Sequence, residues 1–257
     1  MTPLQQELLS MYKDIKEVLE SEKIRFYGIY GTALGAVREN GMVPWDDDID
    51  LGVFEEDLPK VNEALSKKLD QSEYYYHIPS ADTHPHVFKR TDNFESDLRE
   101  KRAPFIDIFV IERFPSKGLR RSLSRINVRL YMLAMSLVYI PDSNIGQRLV
   151  RWIPKVIKRC NRILVDRDSN ETVLYEEDYK KTFHCRCIYG TPVMHEFEDT
   201  EMPIPEKWDE MLTSMYGDYM TPPPEDKRQG ATGYPHRAYQ DYLRDESNKS
   251  ASTTKAC

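Results

Sequence analysis

Residues 26–54 read FYGIYGTALGAVRENGMVPWDDDIDLGVF. An apolar pattern over residues 24–30 predicts a strand, which passes through closely spaced glycines into a short helix pattern over residues 32–38. Asn40-Gly41 is a turn signal, and residues 48–54 predict a second strand. Outside this segment, helices are predicted over residues 8–19 and 58–69, and strands over residues 74–78, 87–91 and 105–111. This alternation predicts a mixed α/β sheet.

Four aspartates, Asp46, Asp47, Asp48 and Asp50, fall within five residues. Their mutual repulsion is costly unless water or a cation relieves it. Because residues i and i+2 of a strand share a face, Asp48 and Asp50 are expected to point the same way, with Ile49 in the core. Magnesium is usually held by one or two carboxylates together with substrate phosphates. The pattern therefore predicts a Mg²⁺ site on Asp48 and Asp50, with Mn²⁺ as the alternative ion.

The common alternative for such a cluster is a solvated acidic turn. The apolar partners Ile49, Leu51 and Val53, and the Pro44-Trp45 lead-in, argue against it. A calcium loop would need the complete pattern acid-x-acid-x-acid-Gly with a trailing glutamate, and that complete pattern is missing here.

Two other features favour phosphate chemistry. Gly31 and Thr32 lie where a strand leads into a helix, and backbone N–H groups and the helix dipole at such a start attract anions. Asp107 is the single carboxylate of an apolar strand pattern, FIDIF, and a buried, unpaired carboxylate is expensive. Either an arginine pairs with Asp107 or it shares a metal. The nearby carboxylates favour the metal.

The chain has a formal charge of −7, which argues against generic nucleic-acid binding. Residues 117–167 nevertheless carry 12 Lys/Arg and only two acidic residues, so this segment is +10 and the remainder −17. Such asymmetry suggests a partner. Pro154 predicts a kink or a restart in the helix pattern here. The apolar face of that pattern contains Leu149, Ile153, Val156 and Ile163, and the basic face contains Arg148, Arg151, Lys155, Lys158 and Arg162.

An anionic membrane surface would suit this segment, because basic residues and an amphipathic face both favour it. The alternative is that the apolar face packs on the sheet and the cations are merely solvated. Residues 1–16 show no secretory signal pattern, and the longest uncharged apolar run, residues 130–140, is about half of the roughly 20 residues that span a bilayer. The four cysteines suggest neither a disulfide framework nor a zinc site. A cytoplasmic protein, peripheral at the inner face of the plasma membrane, is therefore expected.

Three long motifs carry a family resemblance. Residues 30–54, YGTALGAVRENGMVPWDDDIDLGVF, residues 105–115, FIDIFVIERFP, and residues 216–228, YGDYMTPPPEDKR, resemble the LicD family. That family includes phosphocholine transferases that decorate bacterial surface glycans, with fukutin-type ribitol-phosphate transferases as distant relatives. The resemblance covers about residues 3–230. It implies a nucleotidyltransferase-like fold of the polymerase-beta type, with an inserted basic helical region and a C-terminal cap.

The resemblance also implies the site and the reaction. Asp48, Asp50 and Asp107 would bind the metal and be catalytic, and Gly31 and Thr32 would meet the donor phosphates. An isolated basic residue is as often a solvated surface charge as a phosphate ligand. Five basic residues are nevertheless candidates for phosphate contact: Arg38, Lys89, Arg90, Lys227 and Arg228.

The expected reaction is Mg²⁺-dependent transfer of phosphocholine, or a similar phospho-substituent, from a CDP-linked donor to a hydroxyl of a cell-surface glycan. The acceptor would be free or lipid-linked, and contact with the membrane would be made through residues 117–167. The alternatives are attachment of NMP to a small molecule or protein, ribitol- or glycerol-phosphate transfer, and a non-catalytic binding protein. The intact carboxylate set argues against the last.

Four parts of the chain are expected. Residues 1–116 form the catalytic core and residues 117–168 the basic helical insertion. Residues 169–244 form the C-terminal part, with a last strand near residues 183–189 and a helix over residues 206–216. Residues 245–257, which are polar and rich in small side chains, are expected to be a disordered tail.

Overall fold

The computed structural model describes residues 1–79, 84–136, 144–166, 168–174, 183–228, 230, 234–235 and 237–255. It does not describe the side chains of residues 135–136, 144–151 and 250–255. Seven of the described strands form one mixed sheet in the order β1-β2-β5-β4-β3, with β6 on the far half of β5 and β7 beside β6. Their bounds are β1 Phe26–Gly28, β2 Asp50–Phe54, β3 Tyr74–His77, β4 His86–Lys89, β5 Phe105–Phe114, β6 Glu171–Val173 and β7 Phe183–Cys185. The predicted mixed α/β sheet is thereby confirmed.

Helices cover this sheet and form its main core. α1 (Pro3–Ser21) begins with a capping box in which the Thr2 and Gln5 side chains each accept from the other's backbone N–H. The other helices of this half are α2 (Tyr30–Arg38), α3 (Leu58–Lys68) and α4 (Phe94–Arg99). Apolar side chains of α1, including Leu8, Ile15 and Leu19, are fully buried in that core.

One row of residues crosses four strands of the sheet. β2 and β5 run parallel and pair Asp50 with Asp107, while antiparallel β4 pairs His86 with Asp107 and antiparallel β3 pairs His77 with His86. Paired residues on neighbouring strands lie about 5 Å apart and share a face. The sheet therefore aligns two aspartates and two histidines at one end of its strands.

The start of β2 differs from its predicted bound. The strand begins at Asp50, so Asp48 lies in the preceding loop and not on a strand face shared with Asp50. The reason is that the Asp50 backbone N–H donates to the Thr32 hydroxyl, at 2.8 Å, which anchors the chain to α2. α2 also begins two residues earlier than predicted, at Tyr30, and shortens β1.

Two long helices, α5 (Gly118–Ser136) and α6 (Asn144–Leu164), form the basic hairpin. α6 is continuous through Pro154, which excludes the predicted restart, whereas the alternative of a kink stays a prediction. Packing against α5 holds the helix together, and an example is the 2.9 Å hydrogen bond from Asn127 to the buried Asn161. The sequence predicted Lys158 as a surface cation. In the structure it instead forms an ion pair with buried Glu112 of β5 at 2.5 Å.

The C-terminal part differs most from expectation. β7 ends at Cys185 and a 3₁₀ turn, Arg186–Ile188, replaces the end of the predicted strand. A hairpin that the sequence did not predict follows, β8 (Val193–Phe197) and β9 (Thr200–Ile204), and it packs on β1 and α2. Pro203 within β9 obscured the strand pattern, yet a short two-stranded hairpin tolerates it. Cys185 and Cys187, expected to be unpaired, form a disulfide.

The chain closes with two further helices, α7 (Trp208–Tyr216) and α8 (Ala238–Lys255). Residues 245–255, expected to be a disordered tail, continue α8 as helix. Tyr75 of β3 holds this helix by donating to Asp245 at 2.9 Å. Tyr75 also packs edge-on against Tyr242, so aromatic contact adds to the hydrogen bond.

Candidate active site

Three carboxylates converge where β2 and β5 begin. Asp48, Asp50 and Asp107 each offer an oxygen, and these oxygens all lie within 4.8 Å of one another. Strand pairing fixes Asp50 and Asp107, which are 8% and 7% exposed, while Asp48 reaches them from the loop before β2. The convergence predicted for these three residues is therefore observed, although Asp48 arrives by a different route.

The electrostatics of this cluster favour a cation. Burial, followed by the carboxylates of Asp46 and Asp107, raises the pKa of Asp48 to about 8. Burial also raises the pKa of Asp46, whose side chain hydrogen-bonds to Asp48. The charged forms are thus disfavoured unless positive charge is supplied. An oxygen-only set of this kind fits a hard ion such as Mg²⁺.

α1 and α2 hold the acidic loop in place. Gln5 donates from Nε2 to the backbone oxygens of Val43, at 3.1 Å, and Asp46, at 3.0 Å. A Cβ added at Gly31, in the first turn of α2, would lie 2.4 Å from Oδ2 of Asp46, so a larger residue there would displace the Asp46 carboxylate. Thr32 is buried, and its hydroxyl holds the backbone of Asp50. Both predicted phosphate-binding residues of α2 therefore lie beside the carboxylates.

Two of the predicted basic residues lie near the acidic loop. The guanidinium groups of Arg38 and Arg228 lie 5.6 and 5.1 Å from the centroid of the Trp45 ring, next to Asp46. Arg38 also donates to the Tyr219 carbonyl at 3.0 Å. The segment that contains the third sequence motif is thus packed against the acidic loop. Lys227 is exposed in that segment.

Lys89 and Arg90 lie elsewhere. They follow His86 along β4 by three and four residues, which corresponds to roughly 10 Å or more. Lys89 pairs with Glu73 at 2.8 Å, and Arg90 donates to the Tyr74 carbonyl at 3.3 Å. These contacts tie β4 to β3, and the structure does not bring either residue to the carboxylates.

Two histidines border Asp107 and a third lies behind them, and none of the three was singled out from the sequence. The Nε2 atoms of His84 and His86 lie 3.1 and 3.2 Å from Oδ1 of Asp107. Nδ1 of His86 lies 3.1 Å from Nδ1 of His77, whose Nε2 is 3.1 Å from buried Asp241 of α8. Burial, together with His84 and His77, lowers the pKa of His86 well below its usual value. The His84-x-His86 spacing was an available signal, since it repeats the i, i+2 rule applied to the aspartates.

Comparison with known proteins agrees with this geometry. Residues 23–123, which include the three carboxylates and the three histidines, match the family model described as LicD/FKTN/FKRP, nucleotidyltransferase domain. The lipopolysaccharide cholinephosphotransferase LicD of Haemophilus influenzae is 23% identical over a region that covers 83% of this chain and 86% of that protein.

Two rickettsial proteins, both uncharacterized, resemble shorter parts. One from Rickettsia prowazekii is 30% identical over 110 residues, 42% of this chain and 40% of its own length. One from Rickettsia typhi is 44% identical over 50 residues, 20% of this chain and 16% of its own length. The domain match over residues 23–123 and the similarity to LicD over most of the chain both support membership of the LicD family.

Proposed function

We propose that this protein transfers phosphocholine, or a similar phospho-substituent, from a CDP-linked donor to a hydroxyl of a cell-surface glycan. The convergence of Asp48, Asp50 and Asp107 carries the proposal, because phosphoryl transfer depends mainly on positioning and on neutralising charge. The relative from H. influenzae, named as a lipopolysaccharide cholinephosphotransferase, supports the choice of donor and acceptor. We assign residues 1–116 to a nucleotidyltransferase-like catalytic core, residues 117–168 to the basic insertion and residues 169–244 to the C-terminal cap.

In this reaction an acceptor hydroxyl oxygen attacks the phosphorus that carries choline. The bond from that phosphorus to the CMP oxygen breaks, and the hydroxyl proton is lost. Asp48 and Asp50, with Asp107, would hold Mg²⁺, which supplies positive charge to the donor phosphates and the departing CMP. As an alternative role, we assign Asp107 as the general base that would accept the hydroxyl proton.

Residues around the carboxylates would position the donor. The α2 N-terminus, at Gly31 and Thr32, lies beside the acidic loop and favours phosphate through its backbone N–H groups. Arg38 and Arg228 bracket Trp45 near the same loop, and together with exposed Lys227 they form the basic side of the donor site. Lys89 and Arg90 have no part in this proposal, because they pair across β3 and β4.

The products test the reaction. Purified protein, Mg²⁺ and CDP-choline labelled in the choline methyl groups should release CMP only when a glycan acceptor is present, and the label should move to the glycan. CDP-ribitol and CDP-glycerol in parallel reactions identify a polyol-phosphate transferase. Release of pyrophosphate from a nucleoside triphosphate, with NMP attached to the acceptor, would instead establish a nucleotidyltransferase and reject our proposal.

We further propose that the α5–α6 hairpin binds an anionic lipid surface. On α5 a row of apolar side chains at spacings of four and three residues is 41–75% exposed: Leu119, Leu123, Ile126, Leu130 and Leu133. On α6, Trp152 is 65% and Ile163 75% exposed. Exposed Lys155, Arg159 and Arg162 flank these two side chains. No described helix has the length and apolar character needed to cross a bilayer.

Both parts of this surface favour the interface of an anionic membrane. Each Lys or Arg near such a surface contributes roughly 1 kcal/mol to the free energy of membrane binding. Shallow burial of the apolar row of α5 in the lipid would strengthen that binding. The predicted apolar face of α6 is exposed only at some of its positions. Val156 and Ile163 are exposed, Ile153 is half-buried, and the side chains of Leu149, Arg148 and Arg151 lie outside the described residues. We place the contact at the inner face of the plasma membrane, where a lipid-linked acceptor would be reached.

Vesicle binding should depend on these cations. The protein should sediment with phosphatidylglycerol vesicles at low salt and leave them at high salt, because salt screens exposed charges. A triple variant, Lys155→Glu, Arg159→Glu and Arg162→Glu, should lose sedimentation but keep turnover on a soluble acceptor. Lys158 must be left intact, since glutamate there would face buried Glu112.

The matched control makes the same charge change on exposed residues of α3 and α4: Lys60→Glu, Lys67→Glu and Arg99→Glu. It should sediment like the wild type. An equal loss of sedimentation in both variants would mean that net charge, and not this surface, causes the binding. If the wild type does not sediment with vesicles at low salt, the membrane contact is rejected. If Leu130→Asn with Leu133→Asn halves the mass in solution and leaves sedimentation unchanged, the apolar row joins two copies of the chain instead.

A further inference from the structure

The side chains of His84, His86 and Asp107 form a second group suited to a metal ion. Their ligand atoms lie within 4.8 Å of one another, and both Nε2 atoms face the same oxygen, Oδ1 of Asp107. The Nε2–Oδ1 distances are 3.1 and 3.2 Å. Two ligands about 2.0–2.1 Å from zinc at the tetrahedral angle lie roughly 3.3 Å apart, so little movement would be needed to accept an ion.

Hydrogen bonding behind His86 orients it for such a role. The Asp241 carboxylate faces Nε2 of His77, so a neutral His77 carries its proton there and accepts at Nδ1. In the tautomer in which His77 accepts at Nδ1, His86 donates to it from its own Nδ1 across 3.1 Å. This tautomer directs the lone pair of His86 Nε2 at Oδ1 of Asp107, 3.2 Å away. A divalent ion placed between these two atoms would be held by both.

A carboxylate–histidine relay of this kind commonly supports metal-ligating imidazoles. Here it extends through two histidines to α8, where Arg244 pairs with Asp241 at 2.9 Å. His77, His86 and Asp241 are each 1% exposed, so the relay is a built part of the interior and not a chance surface contact. His84 completes the group from the site side, where its ring lies 3.9 Å from that of Phe109.

We propose that His84, His86 and Asp107 bind a nitrogen-preferring divalent ion of the zinc type, in a site distinct from the Mg²⁺ site on Asp48 and Asp50. Imidazole suits zinc and its neighbours, whereas carboxylates and water suit magnesium, so the two sites differ in the ion they select. Both sets contain Asp107, whose two oxygens allow it to bridge them. The inference does not depend on the identity of the transferred group.

Zinc binding by the full chain tests the site directly. Protein stripped by a chelator and dialysed into excess Mg²⁺ should bind one Zn²⁺ in a calorimetric titration. His84→Ala and His86→Gln should each weaken binding at least about 100-fold, and His77→Gln about 10–100-fold, as expected for an outer-shell partner. His195→Gln on β8, outside the group, is the matched control and should bind zinc normally. Asp48→Asn should also retain zinc.

Zinc X-ray absorption gives a readout that does not depend on activity. It should show nitrogen and oxygen ligands, including imidazole, and the imidazole signal should decrease in His84→Ala. Circular dichroism checks that each variant folds. If His86→Gln fails to fold, His84→Ala decides the test alone, because the side chain of His84 is 11% exposed while that of His86 is 2% exposed. Sulfur ligands, unchanged affinity in folded His84→Ala, or no zinc bound by folded wild type would each overturn the proposal and leave the histidines as hydrogen-bond partners of Asp107.

Discussion

Asp48→Asn and Asp50→Asn should each lower turnover by at least about a thousandfold, which corresponds to ~4 kcal/mol of lost transition-state stabilisation. The two carboxylates lie within 4.8 Å of each other and of Asp107, and an amide supplies neither the negative charge nor the same affinity for Mg²⁺. Initial rates of CMP release at saturating donor, measured across a Mg²⁺ titration, check the loss. Raising Mg²⁺ should not restore the rate.

The same Asp48 variant should not be destabilised. Burial and neighbouring carboxylates raise the pKa of Asp48 to about 8, while an unfolded aspartate has a pKa near ~3.9. A carboxyl whose pKa is raised on folding costs increasing stability as pH rises from the unfolded value through the folded one. Without metal, Asp48→Asn should therefore melt at the wild-type temperature or above it near neutral pH, and the difference should vanish near pH 4.

Asp168→Asn provides the control for this pair of measurements. Asp168 is exposed and adjoins Ser169, whose hydroxyl bonds to the Phe114 carbonyl at the opposite end of β5. Its turnover and melting temperature should match the wild type. Near-normal turnover of Asp48→Asn or Asp50→Asn, in a reaction that chelator stops in the wild type, would remove these residues from the metal site.

Asp107→Asn should lower kcat by about 10²–10⁴-fold, the range associated with loss of a general base, without preventing folding. The amide keeps an oxygen toward the imidazoles of His84 and His86, so the sheet row should survive. The sequence left open an arginine partner for this carboxylate. In the structure, Oδ1 of Asp107 lies 3.1 and 3.2 Å from Nε2 of His84 and His86, and its neighbours in the row are Asp50 and His86.

The pH profile separates the two roles assigned to Asp107. If it is the base, the acidic limb of kcat should disappear in the variant while the Mg²⁺ requirement is unchanged. If it is a ligand, the limb should persist and the half-saturating Mg²⁺ concentration should rise. An active variant with a lowered melting temperature would show a purely structural carboxylate. Asp92→Asn, an exposed change before α4, should leave both quantities unaltered.

Local sequence was sufficient for the carboxylates because their signals are local. Asp48 and Asp50 lie in one motif, and Asp107 is conspicuous in an apolar strand. The histidines required knowledge of strand order, since His77 and His86 reach Asp107 only through the pairing of β3, β4 and β5. The charge pattern wrongly assigned Lys158 to the exposed basic face, because its partner Glu112 is 46 residues away in sequence.

Contacts between residues far apart in sequence also explain why the structure of the C-terminal region was not predicted. Composition predicted disorder after residue 244. The segment is instead helical, and contacts of α8 with β3 hold that helix. No periodicity within the segment indicates these contacts. The family resemblance predicted which residues gather, whereas their relation to α8 and to the β8–β9 hairpin came only from the packed structure.

The intrinsic fluorescence of the three tryptophans can report on different parts of the molecule. Trp45 lies against Arg38 and Arg228 beside the acidic loop, so its emission will respond to charge placed near Asp46. Trp152 is 65% exposed on the α5–α6 hairpin, where an apolar phase would shift its emission to shorter wavelength. Trp208 stacks edge-on with His195, 5.5 Å away, and serves as an internal reference. Single-tryptophan variants can thus report donor binding and lipid contact separately, in one cuvette and without an attached dye.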